Sequence, residues 1–259
     1  MHTSYLLVMH GSRDPRPQVA LGKLAQGVGE TLIAKTNFTS SKLDTASGPL
    51  VGTASLELGP ALLDEQIKQF GQQALASGLH QMQVLPLFLL PGVHVKEDIP
   101  AAVIQAQHAL GGEVSIDLRP HLGTHPGLAK LVANRMARLS VDAWILLAHG
   151  SRRPGGNGPI EKIANQVQAV PTYWSVPPKL EKRVRELVAV GHQRIGIMPY
   201  FLFSGSTTDA IAEEVARLRL KFPQQLQLAT PLEPSAELVN FILDLAGFPA
   251  NLGATPGWG

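Results

Sequence analysis

The 259-residue chain contains no cysteine. That excludes a disulfide framework, a thiolate zinc site and a cysteine-ligated iron–sulfur cluster. Aromatic residues are sparse at 5%, and charged residues make up only 16%, with a formal net charge of +2. So small and dispersed a balance gives no electrostatic footprint for nucleic acid. Long apolar runs are missing too. The richest, Val84–Val93, is interrupted by two prolines and falls well short of the ~20 residues that span a bilayer. The opening MHTSYLLVMHGSR has no basic region ahead of its short apolar stretch, so no signal peptide is expected. Neither a membrane nor nucleic acid is therefore expected as a partner, and the expected location is cytoplasmic. What the chain does have is 44% hydrophobic residues, enough for a sizeable core over one or two domains.

The sequence repeats itself. Tyr5–Gln18 (YLLVMHGSRDPRPQ) and Trp144–Asn157 (WILLAHGSRRPGGN) each carry an apolar run into His-Gly-Ser-Arg. Gly78–Gly92 (GLHQMQVLPLFLLPG) matches Gly191–Gly205 (GHQRIGIMPYFLFSG) in the same order. The first half is the longer, and the small, polar stretch Thr36–Pro49 is the natural place for much of its extra length. Two copies of one domain are expected, residues 1–140 and 141–247, followed by an irregular Gly/Pro-rich tail over 248–259.

Both copies show the same rhythm of strands and helices. In the first, strands are expected at Tyr5–Met9, Val51–Leu58, Met82–Leu90 and Val114–Leu118. Helices are expected after Pro15, from Pro60 to Ala76, after Asp98-Ile99-Pro100, and from His125 to Arg138. In the second, strands fall at Trp144–Ala148, Val170–Trp174, Arg194–Phe203 and Leu226–Ala229, with helices from Pro159, Pro177, Thr208 and Pro234. Alternation of this kind means α/β: two tandem, doubly wound parallel sheets with helices on both faces.

In such sheets ligands bind beyond the carboxyl ends of the strands, where strand order reverses. His10 follows the first strand, His94 follows the third, and Glu57 ends the second. If strands one and three are neighbours, as in a flavodoxin-like order, both imidazoles reach one crevice. Two imidazoles and a carboxylate there suit a borderline divalent metal. The plain alternative for each is a loop or capping residue. His121 and His125 share that edge farther from the switch point, whereas His80, His108 and His192 are expected on the surface. The glycines of HGSR and PGVH most simply permit tight turns. No P-loop, G-x-G-x-x-G, G-x-S-x-G or H-E-x-x-H pattern occurs.

Taken in order, HGSRDPR, TASLELGP and PLFLLPGVHVKEDIP, with a second HGSR downstream, resemble the class II chelatases of the CbiX and SirB type in their long two-domain form. These are the sirohydrochlorin cobaltochelatases and ferrochelatases. The resemblance covers essentially the whole chain. It implies two chelatase-like domains with a cleft between them, and ATP-independent insertion of a divalent metal into sirohydrochlorin on the way to sirohaem or cobalamin. By motif it carries the family's active-site histidines onto His10 and His94 and its acidic residue onto Glu57. No prosthetic group is implied; Fe(II) or Co(II) is a substrate. Because the tetrapyrrole bears several carboxylates, Arg13 and Lys96 in the first half, and Arg152 and Arg153 in the second, are candidates to position it. Ordinary surface cations are the alternative reading.

The halves have diverged. His149 answers His10, but Thr207 stands opposite His94, and Glu57 falls near Trp174. One site, built on the first half, is expected. Trp174 and Tyr200 offer flat apolar surface to a macrocycle or pack in the core. Iron, cobalt and nickel all suit these ligand types; the lack of cysteine and of a long His-rich tract leans towards iron. A fused pair of domains is expected to work as a monomer with pseudo-two-fold symmetry. Three rival readings remain at this stage: a tetrapyrrole or metal carrier without turnover, a histidine-dependent phosphate-ester enzyme, and an inactive scaffold.

Overall fold

Each expected strand forms, and the two halves build separate four-stranded parallel sheets. The computed structural model describes residues 3–39 and 48–248. The first sheet contains β1 (Thr3–Met9), β2 (Val51–Ser55), β3 (Gln81–Pro86) and β4 (Ser115–Leu118), in the order β2-β1-β3-β4. The second contains β5 (Ala143–Ala148), β6 (Ala169–Tyr173), β7 (Arg194–Pro199) and β8 (Gln225–Leu228), in the order β6-β5-β7-β8. All neighbouring strands are parallel. The flavodoxin-like order therefore places β1 beside both β2 and β3.

The reason is visible in the side chains. Tyr5–Met9 of β1 are all buried, as a strand covered on both faces by helices requires. The edge strands are more polar, and β4 exposes Ser115 and Asp117. The helices are α1 (Pro15–Thr39), α2 (Leu63–Ala76), α3 (Ile99–Ala109), α4 (Leu128–Met136), α5 (Gly158–Gln166), α6 (Leu180–Ala189), α7 (Ser206–Lys221) and α8 (Ala236–Leu245). In α2, Leu63, Ile67, Phe70 and Ala74 fall on the buried stripe, at the spacing of one helix face.

Several expected elements are shorter in the structure. β2 stops at Ser55, β3 at Pro86 and β7 at Pro199. After Pro86, the Leu87 N–H donates to Val8 O at 2.7 Å and the chain leaves the sheet. The apolar residues Phe88–Leu90 that follow are loop, although Phe88 packs on the core of the first unit. The helix expected from Pro60 begins at Leu63, and the one expected over His125–Arg138 contracts to Leu128–Met136 behind a 3₁₀ turn at Leu122–Thr124.

Packing does not follow the repeats. The described residues of Met1–His125 and Pro234–Gly259 form one compact unit, and Pro126–Glu233 form the other. Helix α8 thus packs on α1 in the first unit, while α4 packs with α5 and β7 in the second. The boundary expected at 140/141 lies inside the second unit: each repeat's last helix sits in the unit of the other. The expected tail over 248–259 lies outside the described residues except for Phe248, as does the 40–47 part of the Thr36–Pro49 insertion. No described helix is long and apolar enough to cross a membrane.

Candidate metal centre

The β1–β2 ladder continues past the strands themselves. Leu56 N–H donates to Met9 O at 2.9 Å, and Glu57 N–H donates to His10 O at 2.8 Å. Glu57 is thereby locked beside His10, the first residue beyond β1. Gly11 makes this approach possible. It has φ +101°, and a Cβ there would lie 1.8 Å from the Glu57 carbonyl oxygen. The glycine of HGSR is therefore required both for its turn and for closeness to β2. Gly92 in PGVH also closes a tight turn, its N–H donating to Leu90 O at 2.9 Å, but its surroundings are open and its φ is not left-handed, so the turn does not require glycine there. After Glu57, Leu58 takes φ +55°, unusual for a bulky side chain. Gln66 of α2 staples this loop: its Nε2 donates to Ser55 O and to Ala61 O, both at 2.8 Å, and its Oε1 accepts from Ser55 N–H at 3.0 Å.

His94 comes from the β3 side. The loop leading to it is held at Phe88, whose carbonyl accepts from Gly123 N–H at 2.8 Å. Gly123 N–H also reaches His121 Nδ1 at 3.1 Å. A single π-helical turn, His94–Asp98, precedes α3, with Ile99 N–H donating to His94 O. Within that turn His94 Nδ1 lies 2.7 Å from Asp98 Oδ2.

These elements bring His10, Glu57 and His94 together. Each offers one ligand atom within 4.8 Å of the other two, and no other group of three or more such residues occurs among those described. The imidazole centroids are 4.9 Å apart with the rings 81° to one another. The Phe88 ring lies 6.4 Å from His10 and 6.3 Å from His94. His10 and Glu57 are exposed and His94 half-buried. In a closed first-row metal shell with bonds near 2 Å, ligand atoms sit roughly 3–4 Å apart. The trio is a little looser than that, so modest side-chain rotation would close it on an ion. Three protein ligands would also leave coordination positions open for exchange, as catalytic metal sites do.

The other expected residues fall as follows. Arg13 is exposed on the loop after His10, Lys96 is exposed in the π-helical turn that His94 begins, and Arg152 is exposed in the second unit beyond His149. In that unit Ser175 N–H donates to His149 O at 2.8 Å, so the structural counterpart of Glu57 is Ser175, one residue past Trp174. Tyr200 is buried and Trp174 packs on the second hydrophobic cluster; of the two readings for this pair, the structure gives core packing. His80 and His108 are exposed, and His192 is half-buried. His121 is buried, and His125 stacks on Phe241 of α8 with centroids 4.0 Å apart. Sequence reasoning passed over Asp98, whose only signal is its spacing of four from His94. It also passed over Gln66 and Phe88, which carry no motif.

A flavodoxin-like parallel sheet, duplicated in tandem, with a histidine–carboxylate–histidine trio at the switch point of one copy defines a class: two-repeat α/β proteins with a candidate metal site at a strand edge. The CbiX family model matches residues 4–139 and again 143–246, and the chain belongs to the CbiX family. A sirohydrochlorin cobaltochelatase of Priestia megaterium is 26% identical over 234 residues, covering 84% of this chain and 70% of that protein. A sirohydrochlorin ferrochelatase of Bacillus subtilis (strain 168) is 26% identical over 235 residues, covering 86% and 83%. Among solved structures, SirB from Bacillus subtilis with Fe3+ superposes with a TM-score of 0.74 at 24% identity, covering 95% of each chain. The fold is thus that of SirB.

Proposed function

We propose that the chain is a sirohydrochlorin chelatase, inserting Fe2+ or Co2+ into the metal-free tetrapyrrole without ATP. The observation that carries the reading is the His10–Glu57–His94 trio, with ligand atoms within 4.8 Å, in a member of the CbiX family. Insertion exchanges one M2+ for two pyrrole protons, and the ion must shed water as it goes. In this reading His10 and His94 hold the ion and take the pyrrole protons, for which neutral imidazole is suited near pH 7. Glu57 is a third ligand or passes the protons on. Arg13, Lys96 and Arg152 meet the carboxylates of the substrate. Both repeats lie in one chain, which supports a monomer, and a water-soluble substrate supports a cytoplasmic site of action.

The two sirohydrochlorin chelatases reported above are equally identical to this chain at 26% and differ in metal. Both ions therefore belong in the test. Anaerobic insertion into sirohydrochlorin, followed by absorbance with Fe2+ and Co2+ in parallel, should run faster than the uncatalysed reaction. His10→Ala and His94→Ala should each lower the rate about 10²-fold or more, and the faster metal assigns the branch. Tight tetrapyrrole binding with no acceleration would make the protein a carrier and overturn the reading.

A further inference from the structure

The two repeats differ by one residue at a telling place. Phe88 and Phe201 occupy equivalent positions, each accepting a backbone hydrogen bond from the loop after its fourth strand. Their offset is the same as that of Pro86 and Pro199, which end β3 and β7. Beyond the following loops the buried stripe Ile99, Val103, Ala106 of α3 answers Ile211, Val215, Leu218 of α7, and the offset is one shorter. The first repeat therefore holds one extra residue between Phe88 and Ile99. Its π-turn at His94–Asp98 accommodates it, since such turns are commonly one-residue expansions of a helix and cluster at functional sites. The second repeat starts α7 without a π-turn and has Ala210 where the first has Asp98.

The expanded turn places Asp98 Oδ2 2.7 Å from His94 Nδ1. His10 is held differently, its Nδ1 lying 3.3 Å from the carbonyl of its neighbour Gly11. We infer that Asp98 is a positioning residue. It accepts the His94 Nδ1–H and so fixes the tautomer that presents Nε2, with its lone pair, to the ion. A metal-bound histidine commonly has its second nitrogen tied in this way, and loss of the tie costs about 10–100-fold in metal affinity. The inference rests on the reading of His94 as a ligand in the proposed chelatase.

Two measurements test it. Long-range proton–nitrogen NMR on the metal-free, ¹⁵N-histidine-labelled protein reads the His94 tautomer, with His94→Ala supplying the assignment. Wild type should show the Nδ1–H form, and Asp98→Ala should shift it towards Nε2–H. Asp98→Asn keeps an acceptor oxygen and should keep the wild-type tautomer. Titration with Co2+ alone should then show about 10–100-fold weaker binding for Asp98→Ala, with Asp98→Asn recovering most of the loss. Glu97→Gln, which removes a charge at the adjacent position, should bind as wild type. An unchanged tautomer in Asp98→Ala overturns the inference. So does an Asp98→Asn variant as weak as Asp98→Ala, which would make the carboxylate itself a ligand. If instead His94→Ala binds Co2+ as tightly as wild type, the metal reading fails, and the tautomer arm, read without metal, tells that failure apart.

Discussion

His121 is the buried imidazole of the first unit, with 8% of its surface exposed. Burial holds its pKa below the ordinary 6.5, while the Phe88 carbonyl, 2.9 Å from Nδ1, pulls the other way by favouring the protonated ring. The consequence for folding has a definite sign. As the pH falls below about 6.5, the unfolded chain takes up a proton at this position while the folded ring stays neutral. The stability that His121 contributes is thus complete above pH 6.5 and is lost as the pH drops towards the folded value. His121→Gln does not titrate there. In urea denaturation, the stability advantage of wild type over this variant should shrink between pH 7.5 and pH 5.5. An advantage independent of pH would mean that the ring is not held neutral by burial. Sequence placed His121 at the correct strand edge but could not show that it fastens the Phe88 loop, because that depends on the Phe88 carbonyl coming within reach of both His121 Nδ1 and the Gly123 N–H.

At the level of elements, strand order and the converging strand ends were legible, since apolar runs, prolines and the repeat all point the same way. The ends of the elements were not. Leu56 and Phe88 look like strand and lie past the strand ends: on the β2 side the ladder runs on only through Leu56 N–H to Met9 O and Glu57 N–H to His10 O, and on the β3 side it ends with Leu87 N–H to Val8 O. Side chains reinforce these backbone bonds, and Gln66 does so on the β2 side. Its three hydrogen bonds join α2 to Ser55 and Ala61, bracketing Glu57. Each is worth about 1 kcal/mol net. Gln66→Ala should therefore destabilise the protein by about 1–3 kcal/mol in urea. It should also weaken Co2+ binding, because the loop that carries Glu57 loses its staple. Loss of stability with metal binding intact would show that the β1–β2 backbone bonds hold Glu57 unaided.

The whole molecule is organised by two principles that do not coincide. Duplication divides the sequence between residues 139 and 143, whereas packing gives α8 to the first unit and α4 to the second. A repeat is legible because it is a property of order along the chain. The exchange is not, because α4 and α8 carry similar apolar stripes and nothing in either stripe says which sheet it will meet. Leu238, Val239, Ile242 and Leu243 of α8 are all buried, and His125 stacks on its Phe241. Burying four such side chains is worth about 6–12 kcal/mol, as much as the net stability of an entire domain. Residues 1–140 alone would lack this helix and would carry an α4 deprived of its own bed on α5 and β7. That fragment should fail to give a cooperatively folded monomer, appearing instead as unfolded chain or as an assembly in which the α4 of one copy takes the α8 position of another. Co-expressing residues 1–140 with 141–259 should restore a folded one-to-one complex that binds Co2+. Size-exclusion chromatography and thermal denaturation distinguish these states. A stable monomer of residues 1–140 would show that the sheet carrying the His10–Glu57–His94 trio does not need the second repeat's last helix; the predicted failure would make the second repeat, which keeps only His149 of that trio, necessary for folding the first.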